Sequence, residues 1–510
     1  MPSILPPPHS LWLEGEAPNF PALSTDLEVD VAIIGGGITG LTAAVRLKAS
    51  GKRVAVLEAR DIGHGTTGGT SAHLTEAVDT RYGRLEKDFG RDGARLVANA
   101  SKDAIAAIEQ LARAHSINCD FERLPGYLYS ERESDLEALH EEWEAAGRAG
   151  LDVQLERESP LPFPVSAALR FGGQAAFHPF KYVRGLSRAA DGDGSYVYER
   201  TRVLEIHEDE RCRLVTERGV VTAESVIMAT HTPLNWLLLH PKIGHYQSYV
   251  LAVEAERVPS RALYWDTDDP YHYTRLVTDE ADRNRNLLII GGEDHRTGAE
   301  TDTEARYAAL LAYADAKFGV KRVARRWSAQ LMEPVDGLPY IGQNSGSSRV
   351  YVATGYSGNG LTFGTVAGMM LPELIAGRDH PWAALFAATR VKPLAAALDF
   401  VQENAPIGMY MVGDRLRGLG GKVEDVAPGE GKVMVVDGKR LALYREPSGE
   451  LHSVSAVCPH LGCIVHFNAA ERTWDCPCHG SRFTTSGAIL DGPAMSGLTR
   501  VPTAVSKEAE

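Results

Sequence analysis

Two short segments, CPHLGC at 458–463 and CPCHGSRF at 476–483, hold four of the chain's six cysteines together with two histidines, and nothing else in the 510 residues narrows the fold so far. Cys458 and His460 stand at C-x-H spacing, Cys476 and His479 at C-x2-H spacing. Thiolate and neutral imidazole are both good ligands for transition metals. Each pair can meet one metal ion from a tight loop, so the two loops can face each other across a two-metal centre. A structural zinc knuckle and cysteines that merely fill a core are the plainer readings. Zinc accounts neither for the order C-x-H then C-x2-H nor for the Gly480-Ser481 that follows.

A second signal lies near the start. From Asp30 the chain reads DVAIIGGGITGLTAAVRLKASGKRVAVLEAR. An apolar run of strand type ends in Gly35-x-Gly37-x-x-Gly40, a helical pattern rich in Ala and Leu follows, and a second strand ends at Glu58. In a βαβ dinucleotide-binding unit Gly35 gives the tight turn, Gly37 admits the pyrophosphate and Gly40 lets helix pack on strand. The helix N-terminus faces the phosphates, and Glu58 stands where an acid holds the ribose hydroxyls. Glycines alone are common at turns; here strand, helix and acid all fall in place.

The paired segments resemble the Rieske [2Fe-2S] family, in which two Cys hold one iron and two His the other. That resemblance implies Cys458, His460, Cys476 and His479 as ligands and a disulfide between Cys463 and Cys478. It also implies a third covering loop at Gly492-Pro493 and a hydroxyl from Ser481 on a cluster sulfur. Phe483 stands where high-potential members carry Tyr, so a potential below theirs is expected. Histidine ligation leaves the reduced cluster less negative than an all-Cys one and raises its potential.

The glycine fingerprint, the loop ARDIGHGTTGGTSAHLT from Ala59 and the strand-turn-helix VYVATGYSGNGLTFGTVAGMMLPELIAG from Val350 together resemble the D-amino acid oxidase-like FAD oxidoreductases. The resemblance implies FAD, with Thr66, Thr67, His73, Val203 and Thr230 beside it. It also implies a helix N-terminus at Gly355, Gly358, Gly360, Leu361 and Thr362 next to the flavin ring, where its dipole favours negative charge. ESVIMATHTP from Glu224 is similar to the strand closing such a site, although Ala229-Thr230-His231 replaces the usual ATG. His73 is read as a hydrogen-bond donor to the cofactor, a covalent attachment point or plain surface. No second GxGxxG follows another strand, as a pyridine-nucleotide-dependent reductase would need.

These patterns divide the chain into an α/β FAD domain at 27–377, a packed helical connector at 378–422 and a small all-β Rieske domain at 423–505. Within the first, about 27–80, 175–235 and 335–377 bind FAD, and an antiparallel substrate sheet occupies about 245–330. Tyr249, Tyr273 and Arg275 on that sheet are the candidates for catalysis, each equally readable as a cross-strand partner. Glu293, Asp294 and His295, in a polar Gly-rich stretch, read either as a turn or as a cleft wall. Amino-acid-oxidising relatives carry an Arg shortly before the DG-x-PxIG segment to clamp a carboxylate; here that position is Leu331. A simple α-amino acid is therefore a poor fit, and an amine, a betaine-like compound or an unrelated hydride donor fits better.

A formal charge of −14 argues against nucleic acid and against an anionic membrane surface. The N-terminus lacks a basic run before an apolar one, and no apolar stretch reaches about 18 residues. Outside the cluster segments only Cys119 and Cys212 remain, which suits a reducing compartment, so a cytoplasmic location is expected. Fusing a two-electron flavin to a one-electron cluster implies a converter: a small amine-like substrate reduces FAD, and the cluster passes electrons singly to an external carrier. The reverse current, from a carrier through the cluster to FAD and substrate, and a non-enzymatic redox sensor are the alternatives.

Overall fold

A computed structural model describes residues 5–15, 19–234, 239–279, 282, 285–391, 393–416 and 420–502. The first sheet is built on the strand Leu27–Ile34, which pairs in parallel with Val54–Leu57 on one side and with Val220–Met228 on the other. Val54–Leu57 is buried throughout, as a parallel strand covered on both faces must be. Tyr196–Tyr198 extends the sheet beyond it, and Val203–Glu208, Cys212–Thr216, Tyr340–Gln343 and Val350–Thr354 complete eight strands. Gly35 turns the chain at φ +110°, and the helix Ile38–Ala49 starts at once. A Cβ on Gly40 would strike the Gly35 carbonyl oxygen, the contact that demands glycine there. Helix Gly360–Ile375 lies close on Ile38–Ala49 because Gly364 and Gly368 face Thr39 and Thr42.

The second sheet also has eight strands, antiparallel except where Leu263–Asp266 runs parallel to Gly126–Ser130. Its long strands Ile243–Ala255, Asn286–Arg296 and Val320–Pro334 lie side by side. Side chains alternate across the sheet: Tyr249, Leu251 and Val253 pack under the helix Thr303–Phe318, among Tyr307, Leu310 and Phe318. A long helix runs from Tyr82 to Ala114, interrupted at Gly90. His178 caps the helix Pro179–Ala190 by accepting from the Lys181 amide.

From Gly431 the chain forms a three-stranded and a four-stranded antiparallel sheet around Trp474, Phe483 and the Cys463–Cys478 disulfide. This unit docks on the second sheet: the Ala470 amide donates to Thr303 Oγ1 at 3.0 Å, and Tyr307 donates to Glu471 at 3.0 Å. The connector contributes the helix Pro393–Leu416, whose Glu403 ion-pairs with Arg296 at 2.7 Å and accepts from Tyr246 at 2.6 Å. The tail beyond Pro502, expected to fray, and the last residues assigned to the Rieske domain lie outside the described residues.

Candidate active site

Where the two large sheets meet lies a cavity of about 730 Å³. Its floor is the glycine turn: Gly35, Gly37, Glu58, Thr66 and Thr67 line it, with Val203, Thr230, His73, Gly358, Gly360 and Leu361 around the rest. A Cβ on Gly37 would stand 3.0 Å from Thr67 Oγ1, so glycine keeps the cradle open. Glu58 is fixed at the rim by the amides of Gly36 and Arg60, each donating at 2.8 Å. His73 Nδ1 pairs with Ser71 Oγ at 3.0 Å, while its buried Nε2 has no partner among the described residues. Burial, then the nearby Arg275 guanidinium, pushes the His73 pKa down to about 3, so the ring is neutral. A glycine-floored cradle, an anchored acid and an orphaned imidazole nitrogen at the wall fit a dinucleotide flavin. Gly40, Gly355 and Thr362 do not line the cavity. Gly40 packs helix on strand, Gly355 turns at φ +75°, and Thr362 donates to the Thr75 carbonyl at 2.9 Å.

The two cysteine–histidine loops meet as their spacing requires. The His460 and His479 rings lie 4.9 Å apart at 88°. The thiols of Cys458 and Cys476 interact directly, and Ser481 reaches Cys458. Burial, followed by neighbouring histidines, lowers the His460 pKa to about 4 and that of His479 to about 3, leaving both rings in the ligating form. His479 Nδ1 is buried with no partner among the described residues. Two thiols, two neutral imidazoles and an orphaned donor suit a histidine-ligated iron pair, with Cys463 and Cys478 excluded from ligation by their disulfide. Phe483 is wholly buried beside them.

The cysteine–histidine unit closes this cavity. Leu490, Asp491, Gly492, Ala494 and Met495 form part of its wall, and the Ala494 amide donates to Ser481 Oγ at 3.1 Å. The loop carrying Gly492-Pro493 thus separates the two cofactor sites by its own thickness. On the other side Gln330 Nε2 donates to the Gly480 carbonyl at 2.7 Å, and the Gln330 carbonyl accepts from His231 Nε2, at 3.1 Å. His231 itself lines the cavity. His240 stands 4.8 Å from the His460 ring and 5.8 Å from that of His479, and Gly480 packs against His245.

Of the three sheet residues singled out for catalysis, only Tyr273 faces the cavity. Tyr249 points through the opposite face, where its hydroxyl meets His295 Nε2 at 2.9 Å; its neighbour Ser248 takes the cavity side. Arg275 is buried behind the His73 loop, donating to the Ala72 carbonyl at 2.5 Å and stacking on Trp12. Leu331 does line the cavity. Asp79, Tyr271, Gln330, His240 and His245 were not legible as site residues, because each is brought in by contacts between segments far apart in sequence.

A Rossmann-type cradle roofed by a mixed sheet and sealed by a cysteine–histidine metal domain defines a flavin-dependent oxidoreductase that carries its own iron–sulfur centre. Residues 30–374 match the family model described as FAD dependent oxidoreductase, and residues 419–502 match the Rieske [2Fe-2S] domain. The chain belongs to the FAD dependent oxidoreductase family and adds a C-terminal Rieske domain; it binds FAD and a [2Fe-2S] cluster. It is 33% identical over 499 residues to YhfW of Bacillus subtilis (strain 168), covering 97% of each chain. It is 27% identical over 377 residues to gamma-glutamylputrescine oxidoreductase of Escherichia coli (strain K12), covering 70% of this chain and 86% of that one. Among solved structures, glycine oxidase from Geobacillus kaustophilus superposes with a TM-score of 0.60 at 19% identity, over 72% of this chain and 99% of that one. No helix among the described residues is long and apolar enough to cross a membrane.

Proposed function

We propose that the protein oxidises a small amine lacking an α-carboxylate, and that the Rieske centre drains the electrons one at a time to an external carrier in the cytoplasm. The observation that carries this reading is the shared wall: Leu490, Asp491, Gly492, Ala494 and Met495 line the large cavity while the Ala494 amide is bonded to Ser481. FAD, when bound, accepts a hydride from the carbon next to nitrogen, and the cluster moves single electrons.

The chain's own groups do the rest. Gly35 and Gly37 with the helix at Ile38 hold the pyrophosphate, and Glu58 the ribose. Thr66, Thr67, Val203, Thr230 and the turn at Gly358–Leu361 frame the flavin, with Gly355 and Thr362 supporting that turn from behind, and neutral His73 offers a hydrogen bond to it. Tyr273 and Leu331 face the substrate space; Leu331 cannot pair with a carboxylate, which favours an amine of the kind named for the gamma-glutamylputrescine relative. Cys458, His460, Cys476 and His479 hold the iron pair, with Ser481, Phe483 and Pro493 around it.

Anaerobic addition of an amine panel to the holoprotein tests the reading. An amine should bleach the flavin band, and the rhombic signal of a reduced histidine-ligated cluster should follow. Rapid reduction by a ferredoxin with none by any amine would instead support the reverse current.

A further inference from the structure

The strand Asn286–Arg296 carries a bulge opposite Ser248. Its register against Ile243–Ala255 shifts between Gln247 and Tyr249, with φ +143° at Gly292 and +57° at Glu293. Bulges re-aim the side chain that follows. Here that side chain is Asp294, and both of its carboxylate oxygens are buried without a hydrogen-bond partner among the described residues. Burying a carboxylate without a charged partner is costly, and the hydroxyls of Ser248 and Tyr271 are the groups that come within reach of it. Ser248 and Tyr271 face it, and Ser248 Oγ lies 3.3 Å from Tyr273 Oη. Ser248, Tyr271 and Tyr273 all line the large cavity.

We propose that Asp294 is the proton acceptor of the amine half-reaction: the substrate arrives as an alkylammonium ion, and one proton passes from it through Tyr273 and Ser248 to the Asp294 carboxylate. The proposal rests on the amine-oxidation reading above. One N–H bond of the ammonium breaks and one O–H bond forms on Asp294. Each hydroxyl gives one proton and takes one, so neither changes. The freed nitrogen lone pair then expels hydride from the adjacent carbon to FAD, two electrons leaving the substrate as an iminium ion forms. Asp294 returns its proton along the same hydroxyls as the cavity refills.

The charges around Asp294 suit this task. Asp79 on the loop beside the cavity and the phenols of Tyr271 and Tyr273 face it. So does His272, held between Asp266 at 3.0 Å and Glu293 at 3.6 Å. Burial, with Asp79 adding repulsion, raises the Asp294 pKa to about 7. An acceptor poised near neutral pH is the efficient one. Below that pH the carboxyl is already protonated and cannot receive; above it the carboxylate also attracts the incoming cation.

The test uses full-length holoprotein of the wild type, Asp294→Asn, Asp294→Glu and Ser248→Ala, checked for equal flavin content and cluster signal. With 1,4-diaminobutane and its γ-glutamyl derivative as probes, the anaerobic bleaching rate of the wild type should climb about tenfold from pH 6 to pH 8. In Asp294→Asn that limb should vanish, and the rate at pH 8 should fall by at least about tenfold. Asp294→Glu should keep a limb at a shifted pH. Without any ligand, the flavin band of the wild type and Ser248→Ala should titrate near neutrality, and that of Asp294→Asn should not. An unchanged profile in Asp294→Asn, or no ligand-free transition that it removes, overturns the relay while leaving amine oxidation standing. Bleaching by neither probe at any pH, beside a ligand-free transition that Asp294→Asn does remove, overturns amine oxidation of this class and with it the relay's substrate.

Discussion

Single side chains decide how each cofactor is tuned. His73 stays neutral across the working range, with one nitrogen bound to Ser71 and the other buried without a partner among the described residues. As a neutral hydrogen-bonding group it has no need of a bond to the flavin, so acid precipitation should leave the yellow colour in the supernatant; colour in the pellet would show covalent attachment. Phe483 occupies a dry position among Trp474, Cys458 and Cys476. Phe483→Tyr brings a hydroxyl toward a cluster sulfur, and the potential by voltammetry should rise by tens of millivolts, on the order expected of one such hydrogen bond. Asp294 also leaves a mark on stability. Its carboxyl ordinarily titrates near 3.8 and here near 7, so between those values the folded state holds a proton the unfolded state has lost. Stability therefore falls as pH rises through that window and levels above it. Asp294→Asn removes the slope, and thermal melts should show the variant gaining on the wild type at pH 8 relative to pH 5.

Elements carry the coupling. The strand Val320–Pro334 touches the cavity through Leu331 and the iron–sulfur unit through Gln330, neighbours on opposite faces. Gln330→Leu strips the buried Gly480 carbonyl of its donor, a loss of about 1–3 kcal/mol. Flavin bleaching by substrate should be unaffected in that variant, whereas the cluster signal should develop more slowly in freeze-quench spectra. Such docking was beyond the sequence: Gln330 and Gly480 are 150 positions apart. What was legible is local chemistry, the glycine turn at 35–40 and the paired ligands at 458–479, because each is read within a few residues. The assignment of Tyr249 shows the limit. In a strand a shift of one residue exchanges faces, and position along the chain could not say whether Ser248 or Tyr249 looks inward. The bulge at Gly292–Glu293, which sets the direction of Asp294, shows only in the strand pairing.

At the scale of the whole molecule, the proposed function puts substrate chemistry and electron exit in separate units that share one wall. Cys458→Ala should give a protein that keeps its flavin, is still bleached by amine and lacks the cluster signal; turnover with a one-electron carrier should drop by at least about a hundredfold if the cluster is the exit. Turnover that persists would place the exit at the flavin itself. The histidine edge of the iron pair is turned inward against His240 and His245, while Val457, Pro459 and Leu461 on the first loop remain exposed. Under the proposed function, fuel and acceptor reach the protein at different doors: an inhibitor lodged against the flavin should leave the carrier's landing place free, and raising the carrier concentration should not displace it.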